Sequence, residues 1–173
     1  MINERRLVDL FLKYVQIDSE SRKEENFREV LEQDLRELGM EVTADEAGNL
    51  FFALDGDEKA EPLLFTAHMD TVVPGQSIRP VMENGVIKSG GDTVLGGDDK
   101  SGIAAIVEAI RVMKEEKIPH RRVEVLFTVE EEIGLNGSRA ADLGQVRSRY
   151  SIAMDGCGPM DEIGVNGAGQ ANV

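Results

Sequence analysis

A chain of 173 residues is long enough to bury a substantial core, and one domain is the expectation. Its 33 acidic residues outnumber 19 basic ones, and the net charge of −14 argues against nucleic acid or an anionic membrane surface as a partner. No apolar run approaches the ~18 residues of a membrane span, the N-terminus lacks a signal-peptide pattern, and the single cysteine, Cys157, excludes an internal disulfide, so a cytoplasmic location is expected.

Leu7, Leu10, Phe11 and Tyr14 fall at helical spacing and predict a first amphipathic helix. A second is expected over residues 22–38, with Phe27, Val30, Leu31, Leu35 and Leu38 on one face. Ser21 and Glu24 have the spacing of a capping box at its start, and Gly39 is its stop. The period then changes, and residues 41–44, 49–54 and 62–67 read as strands. Asn84-Gly85 is a hairpin turn between Val81-Met82-Glu83 and Val86-Ile87-Lys88. A third helix over residues 99–116 is expected to bury Ile103, Ile106, Val107, Ile110 and Met113. Residues 123–129 read as a buried strand, 138–143 as a short helix and 150–154 as another buried strand. From Gly156 onward, repeated glycines mark a weakly structured end. Helices alternating with apolar strands point to an α/β fold: a layered mixed β-sheet flanked by helices.

The chemistry-bearing residues cluster where these strands end or the third helix begins. His68-Met69-Asp70 follows one apolar run, Glu130-Glu131-Glu132 another, and Asp155 a third, while Gly97-Asp98-Asp99-Lys100 opens the helix. Ligands of open α/β sheets bind at the carboxyl ends of the strands, so these groups are expected to converge in one crevice. One imidazole among several carboxylates suits a divalent cation, zinc above all.

Each cluster also has a plainer reading. His68 and Asp70, two apart on a strand, share a face, and a ligating histidine commonly gives its second ring N–H to a carboxylate. A strand-end histidine beside an incidental aspartate fits the pair alone equally well. The Gly96-Gly97-Asp98-Asp99-Lys100-Ser101-Gly102 segment lacks the glycines of a phosphate loop, having Val94 and Asp99 where they belong. Acids favourable to a helix dipole account for Asp99, whereas Asp98 is placed to offer one oxygen to each of two metals. The glutamate run is either a solvated acidic turn or a divided pair, one residue binding metal and the other acting as general base. Asp155 before Gly156 is a common turn, Cys157 reads as a small buried thiol, and His120 as a surface-loop histidine.

Taken in order, Thr66-Ala67-His68-Met69-Asp70-Thr71-Val72, Leu95-Gly96-Gly97-Asp98-Asp99-Lys100-Ser101-Gly102, Phe127-Thr128-Val129-Glu130-Glu131-Glu132-Ile133-Gly134 and Met154-Asp155-Gly156 resemble the dinuclear zinc exopeptidase and deacylase superfamily, and within it the peptidase T-like proteins. The resemblance implies a metallopeptidase, with Zn2+ as cofactor, that releases N-terminal residues from short peptides. It assigns His68 and Asp155 to one zinc, Asp98 as the bridge, Glu132 to the second zinc, Glu131 as general base and Asp70 as the residue orienting His68. Two departures stand out: the family's second zinc takes a further histidine, and no histidine follows His120 here. The family also inserts a lid domain after the region matching residues 161–173. The resemblance therefore implies that residues 1–173 are the N-terminal part of a catalytic domain whose lid and C-terminal part are absent. Such a chain would hold one zinc or none and be weakly active or inactive, with a homodimer open for the complete protein. The rival readings are a related zinc deacylase or carboxypeptidase, and a non-catalytic metal-binding fragment.

Overall fold

The computed structural model describes residues 1–156 together with 164 and 165. Cys157 and most of the glycine-punctuated end lie outside the described residues.

Helix α1 (Glu4–Val15) starts where the Asn3 side chain accepts the Arg6 N–H at 3.1 Å, and it buries Tyr14 and Val15 completely. Helix α2 (Glu25–Glu37) buries Phe27, Leu31 and Leu35, with Phe27 edge-on to Tyr14 at 5.3 Å between ring centroids. Its end is a Schellman motif. Gly39 takes φ +72°, its N–H bonds the Arg36 carbonyl, and the Met40 N–H bonds that of Leu35. Its start departs from expectation: Glu24 is itself helical in φ and ψ, and no side chain caps the helix. Ser21 and Glu24 face elsewhere, toward the ends of two strands.

The main sheet has the order β1-β2-β6-β3-β7, formed by Thr43–Ala44, Leu50–Leu54, Val123–Thr128, Leu63–His68 and Ser151–Ala153. Strand β6 is antiparallel to β2 and parallel to β3, and β3 is parallel to β7, which makes the sheet mixed as the sequence predicts. Every residue of β6 is buried because it is central and covered on both faces. Val123, Val125 and Phe127 join the helices in the main core, along with Ile103, Val107 and Ile110 of helix α3 (Gly97–Glu115). Leu126 points to the other face, where it packs with Phe51, Leu64, Ala141 and Val146. The β4–β5 hairpin (Pro80–Glu83, Val86–Ser89) is a separate ribbon turning on Asn84 and Gly85, both at positive φ. Among the described residues, no helix is long and apolar enough to cross a membrane.

Two further elements differ from the sequence reading. Strand β7 was expected to be buried, yet Tyr150 is 68 % exposed and Ile152 37 % exposed. Among the described residues it lies at the sheet edge and pairs with β3 alone. The short helix α4 spans Asn136–Ala140, starting two residues early. Asn49 decides this: its side chain accepts the Val129 N–H at 3.0 Å and donates to the Gly137 carbonyl at 2.9 Å, while the Gly137 N–H bonds the Val129 carbonyl. The chain can come this close only because residue 137 has no side chain; a Cβ there would lie 2.1 Å from the Val129 oxygen.

A buried carboxylate ties the second face together. Glu124, fully buried in β6, accepts from Arg122 Nε at 2.8 Å, from Ser148 Oγ at 2.7 Å, and from the backbone N–H groups of Arg147 and Ser148 at 3.0 Å. Burial pushes its carboxyl up, but these donors outweigh it and hold the group below the usual carboxylate range. Glu20 is held down at about 2, chiefly by the Gly75 N–H, then by Gln76 and Lys23.

Gly137→Ala should destabilise the chain by about 1–3 kcal/mol in urea unfolding, the usual cost of overpacking. Because the Glu124 and Glu20 carboxyls are depressed in the folded state, the stability they contribute is present above the unfolded carboxylate range and is lost as pH falls. Unfolding free energy should therefore decline from about pH 5 toward pH 2. Glu124→Gln should flatten that decline, which urea titrations across the window would measure.

Candidate metal centre

Because β3, β6 and β7 run parallel, their carboxyl ends open at the same sheet edge. His68 closes β3, the glutamate run follows β6, Asp155 follows β7, and Asp98 opens α3 beside them. One atom each of His68, Glu131 and Asp155 that could ligate a metal lie within 4.8 Å of one another, and so do those of His68, Asp98 and Glu132. His68 belongs to both groups. The structure thus brings together His68, Asp98, Glu131, Glu132 and Asp155, and its first group holds Glu131 where the resemblance implied Asp98. Glu130 turns away: at φ +51° it points to Asn136 Nδ2, 3.0 Å away, and to Arg22. His120 sits in the turn before β6, its Nδ1 against the Arg121 carbonyl.

His68 is 2 % exposed, with Nδ1 2.9 Å from the Asp70 carbonyl and 3.4 Å from Asp70 Oδ1, and Nε2 3.0 Å from Asp98 Oδ1. Burial alone would lower its pKa, but the hydrogen bond and charge of Asp70, with Asp98, push it up to about 10. Asp70 itself is fully buried. Its Oδ1 accepts the Glu131 N–H at 2.8 Å, and its Oδ2 accepts the Glu132 N–H at 3.1 Å and the Ser21 hydroxyl at 2.6 Å. Burial pushes this carboxyl up, yet His68, Ser21 and the two amides hold it low and ionised.

The glutamates respond in the other direction. Burial, followed by neighbouring carboxylates, raises the Glu131 and Glu132 carboxyls above their ordinary range; His68 opposes this. A divalent cation among them would relieve the repulsion, so the donor set fits one. Cavities of about 150 and 190 Å³ adjoin the cluster, the first against Glu131 and Asp155 and the second against Asp98 and Asp155.

Asp99 and Lys100 serve the scaffold. Asp99 Oδ1 accepts the Gly102 N–H at 3.2 Å at the start of the regular part of α3, which matches its sequence reading as a helix-start acid. Burial, then Asp155, pushes its carboxyl up to about 7. Lys100 is fully buried; its ammonium donates to the Ile17 carbonyl at 2.6 Å and lies 4.7 Å from the Phe27 ring centroid. Burial lowers its pKa to about 8. The sequence reading did not foresee this link, nor the roles of Ser21, Glu24 and Asn49. The Ser21–Glu24 spacing was a signal, but it pointed to a cap.

The family model described as Peptidase family M28 matches residues 49–165. The chain belongs to that family. It is 44% identical over 181 residues to the uncharacterized protein YqjE of Bacillus subtilis, covering 100% of this chain and 49% of the relative. The crystal structure of aminopeptidase PepT from Bacillus cereus superposes with a TM-score of 0.88 at 43% identity, over 91% of this chain and 44% of the other. A tripeptidase from Staphylococcus aureus superposes with a TM-score of 0.87 at 38% identity, over 90% of this chain and 44% of the other. The chain spans about half the length of the curated relatives it matches, peptidase T of Listeria monocytogenes among them. The fold is that of a zinc exopeptidase superfamily member of peptidase T-like kind.

Replacing Lys100 by Met removes the ammonium from over the Phe27 ring and leaves the partly buried Ile17 carbonyl without its donor. The expected loss is about 1–3 kcal/mol in urea unfolding, and an unchanged midpoint would remove Lys100 from the scaffold.

Proposed function

We propose that residues 1–173 form the N-terminal part of the catalytic domain of a zinc-dependent peptidase that releases N-terminal residues from short peptides, tripeptides in particular. One observation carries the reading: two overlapping groups of ligand atoms, each within 4.8 Å, at the carboxyl edge of the sheet. An aminopeptidase and a tripeptidase with the same fold at 43% and 38% identity support the substrate class. A single cysteine in the sequence supports a cytoplasmic location, and a homodimer of the complete protein rests on the resemblance alone.

In this reading His68, Asp98, Glu132 and Asp155 are the ligands. These residues would hold zinc, which when bound would supply Lewis acidity toward water and the scissile carbonyl. Glu131 takes the proton from the attacking water and passes it to the departing amine; burial and its acidic neighbours raise its carboxyl, which strengthens it as a base. His68 Nδ1 pairs with the Asp70 carbonyl, with the Asp70 carboxylate 3.4 Å away, which fixes the ring so that Nε2 faces the crevice. The two groups share one imidazole, so a second ion would lack a nitrogen donor of its own. This chain by itself is therefore expected to bind one zinc and to turn over peptides weakly or not at all.

A second reading follows from the grouping of Glu131 with His68 and Asp155, which makes Glu131 a ligand. Calorimetric zinc titration separates the two. His68→Ala should abolish most zinc binding, while Glu131→Gln should leave it nearly intact and, in a completed protein, lower turnover by about 10²–10⁴-fold. Equal loss of zinc in both variants would make Glu131 a ligand. On the completed protein, comparison of a free-amine tripeptide with an N-acyl amino acid separates a peptidase from a deacylase.

A further inference from the structure

The residues with the spacing of a helix cap leave α2 uncapped and reach the glutamate run. Ser21 Oγ donates to Asp70 Oδ2 at 2.6 Å, and the two Asp70 oxygens take the N–H groups of Glu131 and Glu132. Glu24, 5% exposed, accepts the N–H of Glu130 at 3.0 Å. Three successive amides after β6 thus end on two buried carboxylates, both from outside that strand.

We propose that Ser21 and Glu24 are positioning residues of the glutamate run, locking the turn that sends the Glu131 and Glu132 carboxylates into the crevice and the Glu130 side chain out of it. The bearing of this turn on a metal rests on the function proposed above. The turn needs such a lock because Glu130 adopts a left-handed backbone that an L side chain disfavours. Without acceptors, three partly buried N–H groups would be left unpaired. Ser21 donates to one oxygen of Asp70, which fixes the carboxylate with both oxygens turned to the amides. The segment carrying Ser21 and Glu24 is itself anchored. Lys100 holds the Ile17 carbonyl at 2.6 Å, the Thr71 N–H bonds the Ser19 carbonyl at 3.0 Å, and the Ser21 N–H bonds the Thr71 carbonyl. The first turn of α3 therefore holds the segment that holds the glutamates.

Amide hydrogen exchange of the purified chain tests this residue by residue. Ser21→Ala should speed exchange at Glu131 and Glu132 by about tenfold and spare Glu130; Glu24→Ala should do the reverse. Ser21→Thr, which keeps the hydroxyl, should restore the parent pattern. Ser19→Ala is the control, since the Ser19 hydroxyl is buried without a hydrogen-bond partner in the same segment, and it should leave all three amides unchanged. Equal acceleration at all three amides in both variants, or none, overturns the proposal. Co2+ titration adds a second arm, in which Ser21→Ala should bind about tenfold more weakly with an altered visible spectrum. If the parent binds no Co2+, the metal reading falls and the exchange pattern alone decides the roles of Ser21 and Glu24. A parent that binds and a Ser21→Ala variant with the same affinity and spectrum would overturn the proposal's link to the site.

Discussion

The Asp70 carboxylate is the point on which the candidate centre depends. It is fully buried, and it is satisfied only because His68, Ser21 and the amides of Glu131 and Glu132 all turn toward it. An ionised carboxylate removed from water with fewer partners would be protonated or expelled. The requirement works in both directions: the donors keep Asp70 charged, and the charge draws the ends of β3 and β6 and the α1–α2 connection to one place. The geometry of the crevice is thus a consequence of satisfying one internal charge.

Around that anchor the chain concentrates acids that a folded protein would ordinarily separate. Asp98, Glu131, Glu132 and Asp155 lie close enough for their ligand atoms to form two overlapping groups with His68. Burial and mutual repulsion raise the two glutamates, and the carboxylates of Asp70 and Asp98 raise the imidazole as well, against its own burial. This arrangement costs stability in the absence of a compensating cation, and it is typical of functional sites more than of solvated surfaces. The rest of the molecule offsets the cost with an apolar core between one sheet face and α1, α2 and α3. Buried polar clamps at Asn49 and Glu124 then fix the strand ends and the approach to β7.

Parallel strands explain why distant residues meet. His68, the glutamate run and Asp155 are separated by long stretches of sequence, but each follows a strand of the same direction. A parallel sheet returns each strand to the same edge, so a residue's place after a strand becomes a place in space. That rule made the clusters at residues 68–70, 98–99, 130–132 and 155 legible as one crevice before any coordinates. It could not rank Glu131 against Glu132, or show that Glu130 faces outward, because one left-handed residue reverses which side chain points in.

Hydrophobic period and turn chemistry are local properties, so the sequence by itself determined α1, α2, α3, the Asn84-Gly85 hairpin, the central strand and the mixed α/β layout. The strand-end acids and His68 were equally visible, since their position along the chain carried the information. Tertiary structure decided what depends on partners distant in sequence. Strand β7 is exposed because it is an edge, and α4 starts early because Asn49 draws Gly137 against Val129. Lys100 is buried because the Ile17 carbonyl and the Phe27 ring receive its ammonium. Ser21 and Glu24 show the limit most plainly. A helix N-terminus and a set of strand-end amides both present N–H donors to the same side-chain oxygens, and only the packing of distant elements selects which donors those oxygens meet.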